Sequence, residues 1–258
     1  MKTTILIPFV AVALGGKTGS RQNPPASAAG DPFIGAIETM KQSVARLACI
    51  AANGDESRTL DRPGSAFFLS RAGDFLTAAH VILDMQQRER TCPISAISIP
   101  VENWDPDARN EPQVWFPFRI PDCNFDRELD VAACKPVDDL SVPRPRMAFK
   151  ITPVKFEWSN PPDGAYVAFT GFPLRARDPM TSRGAVAARR TIWREEKALP
   201  ELVLDRAAWP GSSGSPVYLI DGSVVGILLK GGMEEATGTT LVRPASVIRE
   251  FLVEKTKN

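Results

Sequence analysis

The stretch Trp209–Pro216 reads WPGSSGSP. Three serines stand among two glycines and two prolines, and an apolar run, PVYLI, begins at the last proline. Glycine adopts backbone dihedrals closed to other residues. A turn carrying Gly211 can therefore aim successive N–H groups at one point, which is what an oxyanion hole requires. The serine enclosed by the glycine-flanked elements is Ser213. A serine hydroxyl is a weak nucleophile and needs a base beside it. The apolar run would anchor the turn. Taken alone, the stretch is equally consistent with a surface loop.

The base has one candidate. Histidine occurs once in 258 residues, at His80, within FLTAAHVI at 75–82. An apolar strand runs into small residues there, which would let another segment approach the imidazole closely. In isolation this could be a buried histidine satisfied by a backbone carbonyl. Between the two stretches lies RELDVAA at 127–133, with Asp130 at the mouth of an apolar run. A carboxylate entering a buried strand needs a partner, because an unpaired buried charge is costly. An imidazole N–H would satisfy it and be oriented by it. The bland reading is a turn aspartate. The chain order is His80, Asp130, Ser213, each in a context suited to its part.

Composition narrows the classes. Net charge is +1, from 31 basic and 30 acidic residues, which gives no support for nucleic acid or an anionic membrane as partner. The cysteines are Cys49, Cys92, Cys123 and Cys134, with no Cys-x-x-Cys pair. With a single histidine besides, a zinc site is not expected. No metal or organic cofactor is implied, and no loop has an EF-hand pattern. The N-terminus carries Lys2, then an apolar run from Ile5 to Leu14, then small residues. That is a signal-peptide pattern, too short for a comfortable transmembrane span. We expect a secreted or periplasmic protein, with a leader and linker over 1–31 and no integral membrane segment in the mature chain. Export suits disulfides, and four cysteines allow three pairings.

Along the chain, short apolar runs are broken by Pro, Gly, Asp and Asn, the signature of a β-rich protein. Strands are expected in SVARLACIA, SAFFLS, FLTAAHVIL, CPISAISIPV, QVWFPFRI and LDVAACKP. Pro117 places QVWFPFRI at an edge or a bulge. The Pro-rich PVDDLSVPRPRM at 136–147 reads as a linker between halves. Six more runs follow: GAYVAFTGFP, GAVAARRTIW, ELVLDRA, SPVYLI, SVVGILL and TTLVRPA. Val247, Ile248, Phe251 and Leu252 then fall at helical spacing, so the chain should close with an amphipathic helix. Ile34, Ile37 and Met40 favour a short helix before the first strand. Two small β-barrels side by side fit this pattern.

The three motifs together resemble those of the chymotrypsin-like serine proteases: TAAHV for the histidine, LDVAA for the aspartate and GSSGSP for the nucleophile. The bacterial branch, including the HtrA-type protease domain, is closer. DRAAWPGSSGSP, VAFTGFP, DGSVVGILL and TLVRPASVIREFL are similar to its segments, and the resemblance spans about 43–252. It implies an all-β fold of two chymotrypsin-like six-stranded barrels with a C-terminal helix. The N-terminal barrel, 32–145, would carry His80 and Asp130; the C-terminal barrel, 146–258, would carry Ser213. It implies a serine endopeptidase acting on protein or peptide through an acyl-enzyme. Gly211 and Ser213 would form the oxyanion hole, and Ala207, Leu229, Lys230 and Gly231 the substrate pocket. Ala207 at the pocket base predicts a small or medium apolar residue before the cut bond. Glu234 and Glu235 could instead recruit a basic side chain at the rim. Some features depart from the family. Ser212 replaces the aspartate that pairs with a new N-terminus in animal digestive proteases, so activation by that route is not expected. Ser215 replaces a glycine, no second cysteine follows the histidine, and no room for a PDZ domain is expected after the helix. An esterase using the same triad, or a binding protein on a protease scaffold, are the alternatives.

Overall fold

The structure, a computed structural model, describes residues 30–50, 59–87, 94–99, 114–141, 149, 151–194, 196–233 and 236–255. The chain divides into two units, Met1–Asp31 and Pro32–Asn258, and all elements below belong to the second. Residues 1–29 of the expected leader and linker, Cys92, Glu234 and Glu235 lie outside the described residues. No helix among the described residues is long and apolar enough to cross a membrane.

A short helix, α1 (Phe33–Lys41), precedes the first sheet. Its buried face is Phe33, Ala36 and Met40, whereas Ile34 is exposed, so the helix is rotated from the face expected. The sheet contains β1 (Val44–Ile50), β2 (Thr59–Phe68), β3 (Phe75–Ala78), β4 (Ile94–Ile99), β5 (Val114–Pro117), β6 (Asn124–Asp126) and β7 (Val131–Cys134). Their order is β5-β4-β1-β2-β3-β7-β6, with every pair antiparallel. Pro117 thus sits on an edge strand, where its missing N–H leaves no ladder bond unmade. The edge turns back on the sheet: Phe118 bridges Pro136, and Val137 N–H donates to the Pro117 carbonyl at 2.9 Å. The sheet has seven strands rather than the six expected. The extra one is the three-residue β6, too short to show a period-2 signal. Cys123 and Cys134 are joined at the far ends of the β6–β7 pair, and Cys49 is also in a disulfide.

The second sheet is a closed barrel of β8 (Tyr166–Gly171), β9 (Met180–Arg194), β10 (Lys197–Leu204), β11 (Pro216–Tyr218), β12 (Val224–Met233) and β13 (Ala236–Pro244). Its order is β10-β13-β12-β11-β8-β9. Val167, Phe169, Val217, Val225, Leu228 and Val242 belong to one apolar cluster. Their neighbours Ala168, Tyr218, Val224, Ile227 and Leu229 join a larger core with Phe67, Phe68, Leu76 and Ile82 of the first half. Strands buried on both faces read as continuous apolar runs, which is why PVY and VAFTG lack clean alternation. The closing helix α3 (Ala245–Lys255) packs on β12 and β13, burying Ile248 and Phe251 as its spacing predicted. Of the proposed linker, residues 142–147 lie outside the described residues.

Tyr218 is fully buried where the two apolar clusters meet. Its hydroxyl lies 2.7 Å from Thr170 Oγ1, which lies 2.8 Å from Thr181 Oγ1. Burial raises the phenol above its ordinary value of 10.0, against a lesser lowering by the Thr170 hydroxyl. The folded chain therefore holds this proton more tightly than the unfolded chain. The contribution to stability is complete below the unfolded pKa and is lost as pH rises through the raised folded one. Tyr218→Phe should lower stability by about 1 kcal/mol near neutrality. In urea unfolding followed from pH of about 9 to about 11, the gap between wild type and variant should shrink.

Candidate active site

β3 ends at Ala78, and a helix, α2 (Ala79–Gln87), starts at once. His80 therefore sits on the first turn of a helix, not within a longer strand as FLTAAHVIL suggested. Its backbone N–H, free of any intrahelical partner at that position, donates to Asp130 Oδ1 at 2.8 Å. Its Nδ1 lies 2.8 Å from Asp130 Oδ2. One carboxylate thus grips one residue at two points. Asp130 ends the turn before β7 with φ +58°. That left-handed conformation is uncommon for a residue with a side chain, though aspartate is among those that tolerate it. The Asp130 carbonyl accepts Ala79 N–H at 3.1 Å, so backbone and side chain close on the same helix start.

The side chain of Asp130 is 16% exposed and that of His80 39%. An ionised carboxylate only accepts, so the imidazole proton sits on Nδ1. Nε2 is left as the basic nitrogen. Structure thus brings together the first two of the three residues picked from sequence.

The third stands on a loop that belongs to the other sheet and is tied to this one. Gly211 and Gly214 have φ of +95° and +87°. Ser212, Gly214 and Ser215 donate their N–H groups to the carbonyls of Trp209, Leu228 and Ser212. The N–H groups of Gly211 and Ser213 have no acceptor among the described residues. The Gly211 peptide is held from behind, because Leu174 N–H donates to the Pro210 carbonyl at 2.8 Å. Leu174 itself is left-handed, with φ +52°.

Ser65 of β2 makes the tie. Its N–H donates to the Ser213 carbonyl at 2.8 Å. Its hydroxyl donates to the Gly211 carbonyl at 2.8 Å and accepts Phe172 N–H at 2.9 Å. Its carbonyl accepts the Thr77 hydroxyl at 2.7 Å. Space here allows nothing more. A Cβ on Gly64 would meet the Ser213 carbonyl at 2.6 Å and Val81, next to His80, at 3.0 Å. One on Gly214 would meet the Ser65 carbonyl at 2.0 Å. The loop carrying Ser213 is therefore lodged beside the start of α2. Among the described residues no hydrogen bond joins Ser213 Oγ to the imidazole.

The expected pocket residues fall on neighbouring segments. Leu229, Lys230 and Gly231 follow Leu228 on β12, and Leu228 exchanges two backbone bonds with the loop through Gly214 and Ser215. Leu229 is buried, Lys230 exposed and Ala207 half-buried. Thr240 of β13, opposite Gly231, donates its hydroxyl to the Arg206 carbonyl at 2.5 Å, fixing the chain just before Ala207. Sequence reasoning missed Ser65 and Leu174. The one signal for Ser65 was a hydroxyl after glycine at the head of an apolar run; Leu174 acts through its backbone and left none.

A trypsin-like peptidase domain model matches residues 64–227. No curated protein matches the chain. The fold is similar to that of the Rv3671c protease from M. tuberculosis in its active form, with 16% identity and a TM-score of 0.61, over 97% of this chain and 93% of that one. A serine-to-alanine mutant of Rv3671c in inactive form gives 16% identity and a TM-score of 0.59, over 90% and 94%. The inactive Rv3671c protease gives 16% and 0.58, over 85% and 91%. The two sheets and closing helix are those of the chymotrypsin-like fold.

Ser65→Ala removes the shared acceptor and donor of Phe172 and Gly211. We expect a loss of about 1–3 kcal/mol in denaturant unfolding. Gly214→Ala adds a left-handed strain and a backbone clash together, and should prevent recovery of folded protein, read by circular dichroism.

Proposed function

Because the chain belongs to the trypsin-like peptidase domain family, we propose that it is a serine endopeptidase using His80, Asp130 and Ser213 as a triad. The observation that carries this reading is the two-point bond between His80 and Asp130 beside a loop with two unengaged N–H donors. In the proposed reaction Ser213 Oγ attacks the substrate carbonyl carbon as His80 Nε2 takes its proton. The N–H groups of Gly211 and Ser213 receive the oxyanion. Collapse breaks the C–N bond, and His80 returns the proton to the leaving amine, leaving an acyl-Ser213 ester. Water, deprotonated by Nε2, attacks that ester and releases the acid, restoring Ser213. Asp130 keeps the imidazole in the Nδ1–H tautomer and stabilises its cation.

A small or medium apolar residue is proposed before the cut bond, since Ala207 offers no carboxylate for Lys or Arg. The leader pattern over 1–31 supports secretion or a periplasmic location. A catalytically silent binding protein is the second reading, favoured by the missing Ser213–His80 hydrogen bond. Such bonds often tighten only when substrate binds.

A fluorophosphonate probe on the full chain, read by intact mass, separates the two. One adduct on wild type and none on Ser213→Ala supports the peptidase, and no adduct on folded wild type supports the binding protein. His80→Ala should slow labelling by about 10⁴-fold. Across peptides with Ala, Val, Leu, Phe, Arg or Glu before the cut, Ala, Val or Leu should be fastest; a preference for Arg would overturn the pocket assignment.

A further inference from the structure

Arg243 of β13 is the largest side chain among the fully buried described residues, with 0% exposure. Its Nε–H donates to the Leu129 carbonyl at 2.9 Å, and Nη1–H donates to the Pro200 carbonyl at 2.7 Å. Pro200 lies in β10 of the closed barrel, and Leu129 in the turn that delivers Asp130 from the first sheet. One planar cation therefore joins the two halves at the residue before the acid. A methionine or leucine would fill such a space without the cost of desolvating a charge. Packing alone does not explain a guanidinium here.

The held carbonyl belongs to the peptide that enters Asp130. The +58° φ of Asp130 is the rotation about the bond from that peptide to the Cα that carries the side chain. Fixing the carbonyl fixes the plane from which the side chain is aimed. The rest of the turn is gripped elsewhere. Asp126 Oδ1 accepts the N–H groups of Glu128 and Leu129, both at 2.9 Å. The Asp130 carbonyl accepts Ala79 N–H. A second link to the closed barrel, Lys197 to Glu128 at 3.1 Å, is solvent-exposed and of little weight. A lysine in place of Arg243 keeps the charge but not the fixed fork that spans two carbonyls.

We propose that Arg243 is a positioning residue for Asp130, aiming the carboxylate at His80 from the opposite barrel. The inference rests on the triad reading. Its test uses the full chain, with wild type, Arg243→Lys, Arg243→Met and Asp130→Asn, each below its melting temperature. Two readouts are taken. One is fluorophosphonate labelling of Ser213, resolved into probe affinity and maximal rate. The other is the imidazole Nδ1–H proton resonance, which can arise only from His80, the one histidine.

Arg243→Met should lower the maximal labelling rate by about 10²-fold and Arg243→Lys by about ten-fold, with probe affinity unchanged. The downfield Nδ1–H resonance should move upfield or broaden in the same order. Should the methionine variant fail to fold, the lysine variant decides. Both folded Arg243 variants matching wild type in rate and resonance, while Asp130→Asn loses both, would overturn the role of Arg243 and leave the triad standing. Asp130→Asn labelling at the wild-type rate would overturn the triad reading, and this inference with it.

Discussion

The hydrogen bonds of Ser65 constrain the site more than any others described. A strand of the first sheet holds, through one residue, the carbonyls of Gly211 and Ser213 on a loop of the second. The two N–H groups of that loop with no acceptor among the described residues are those of the same two residues. Each shares a peptide with a carbonyl that is itself held, that of Pro210 by Leu174 N–H and that of Ser212 by Ser215 N–H, and the neighbouring glycines supply the dihedrals of the turn. Donors arranged in advance need no reorganisation when charge develops, which is the physical basis of oxyanion stabilisation.

The same logic operates from the opposite direction. Asp130 is delivered by the first sheet, but the peptide entering it is bonded to Arg243 of the second. Each half thus grips a candidate-site segment of the other, Ser65 reaching one way and Arg243 the other. The shared apolar core between β2, β3, β11 and β12 brings the halves to contact distance. The directional bonds then select one arrangement within it. Apolar packing is tolerant of small slips, whereas a buried guanidinium on two carbonyls is not, because a lost bond there leaves a buried polar group unpaired.

Much of this was legible in the chain. Most strand segments along the chain, an edge or bulge at Pro117, the closing helix and the glycine turn around Ser213 all followed from local chemistry. What was not legible depended on distant partners. His80 was read as part of a strand because its neighbours are apolar; they are apolar because α2 is buried, a tertiary fact that period alone cannot separate from a strand. β6 was missed because three residues carry no period. Ile34 was assigned to the inner face of α1, although the face that docks is chosen by what it meets. Ser65 and Arg243 looked like ordinary members of strands, since nothing near them in sequence indicates which carbonyls they would find. Asp130 was picked for its position at a strand mouth, and its left-handed backbone had no signal at all.

The bond from Ser65 to Gly211 spans 146 residues of chain. Contacts so remote in sequence close late, because the entropy of a long loop must be overcome before they form. During synthesis the first sheet can bring His80 and Asp130 together while the loop carrying Ser213 is still untranslated. The loop in turn lacks the bonds from Ser65 until it meets a finished β2. Neither half alone holds His80, Asp130 and Ser213 together, so the three can meet only once the second sheet is made. The division of the site between two sheets is thereby also a timer, which on the proposed reading would keep a nascent chain from cutting itself or its neighbours.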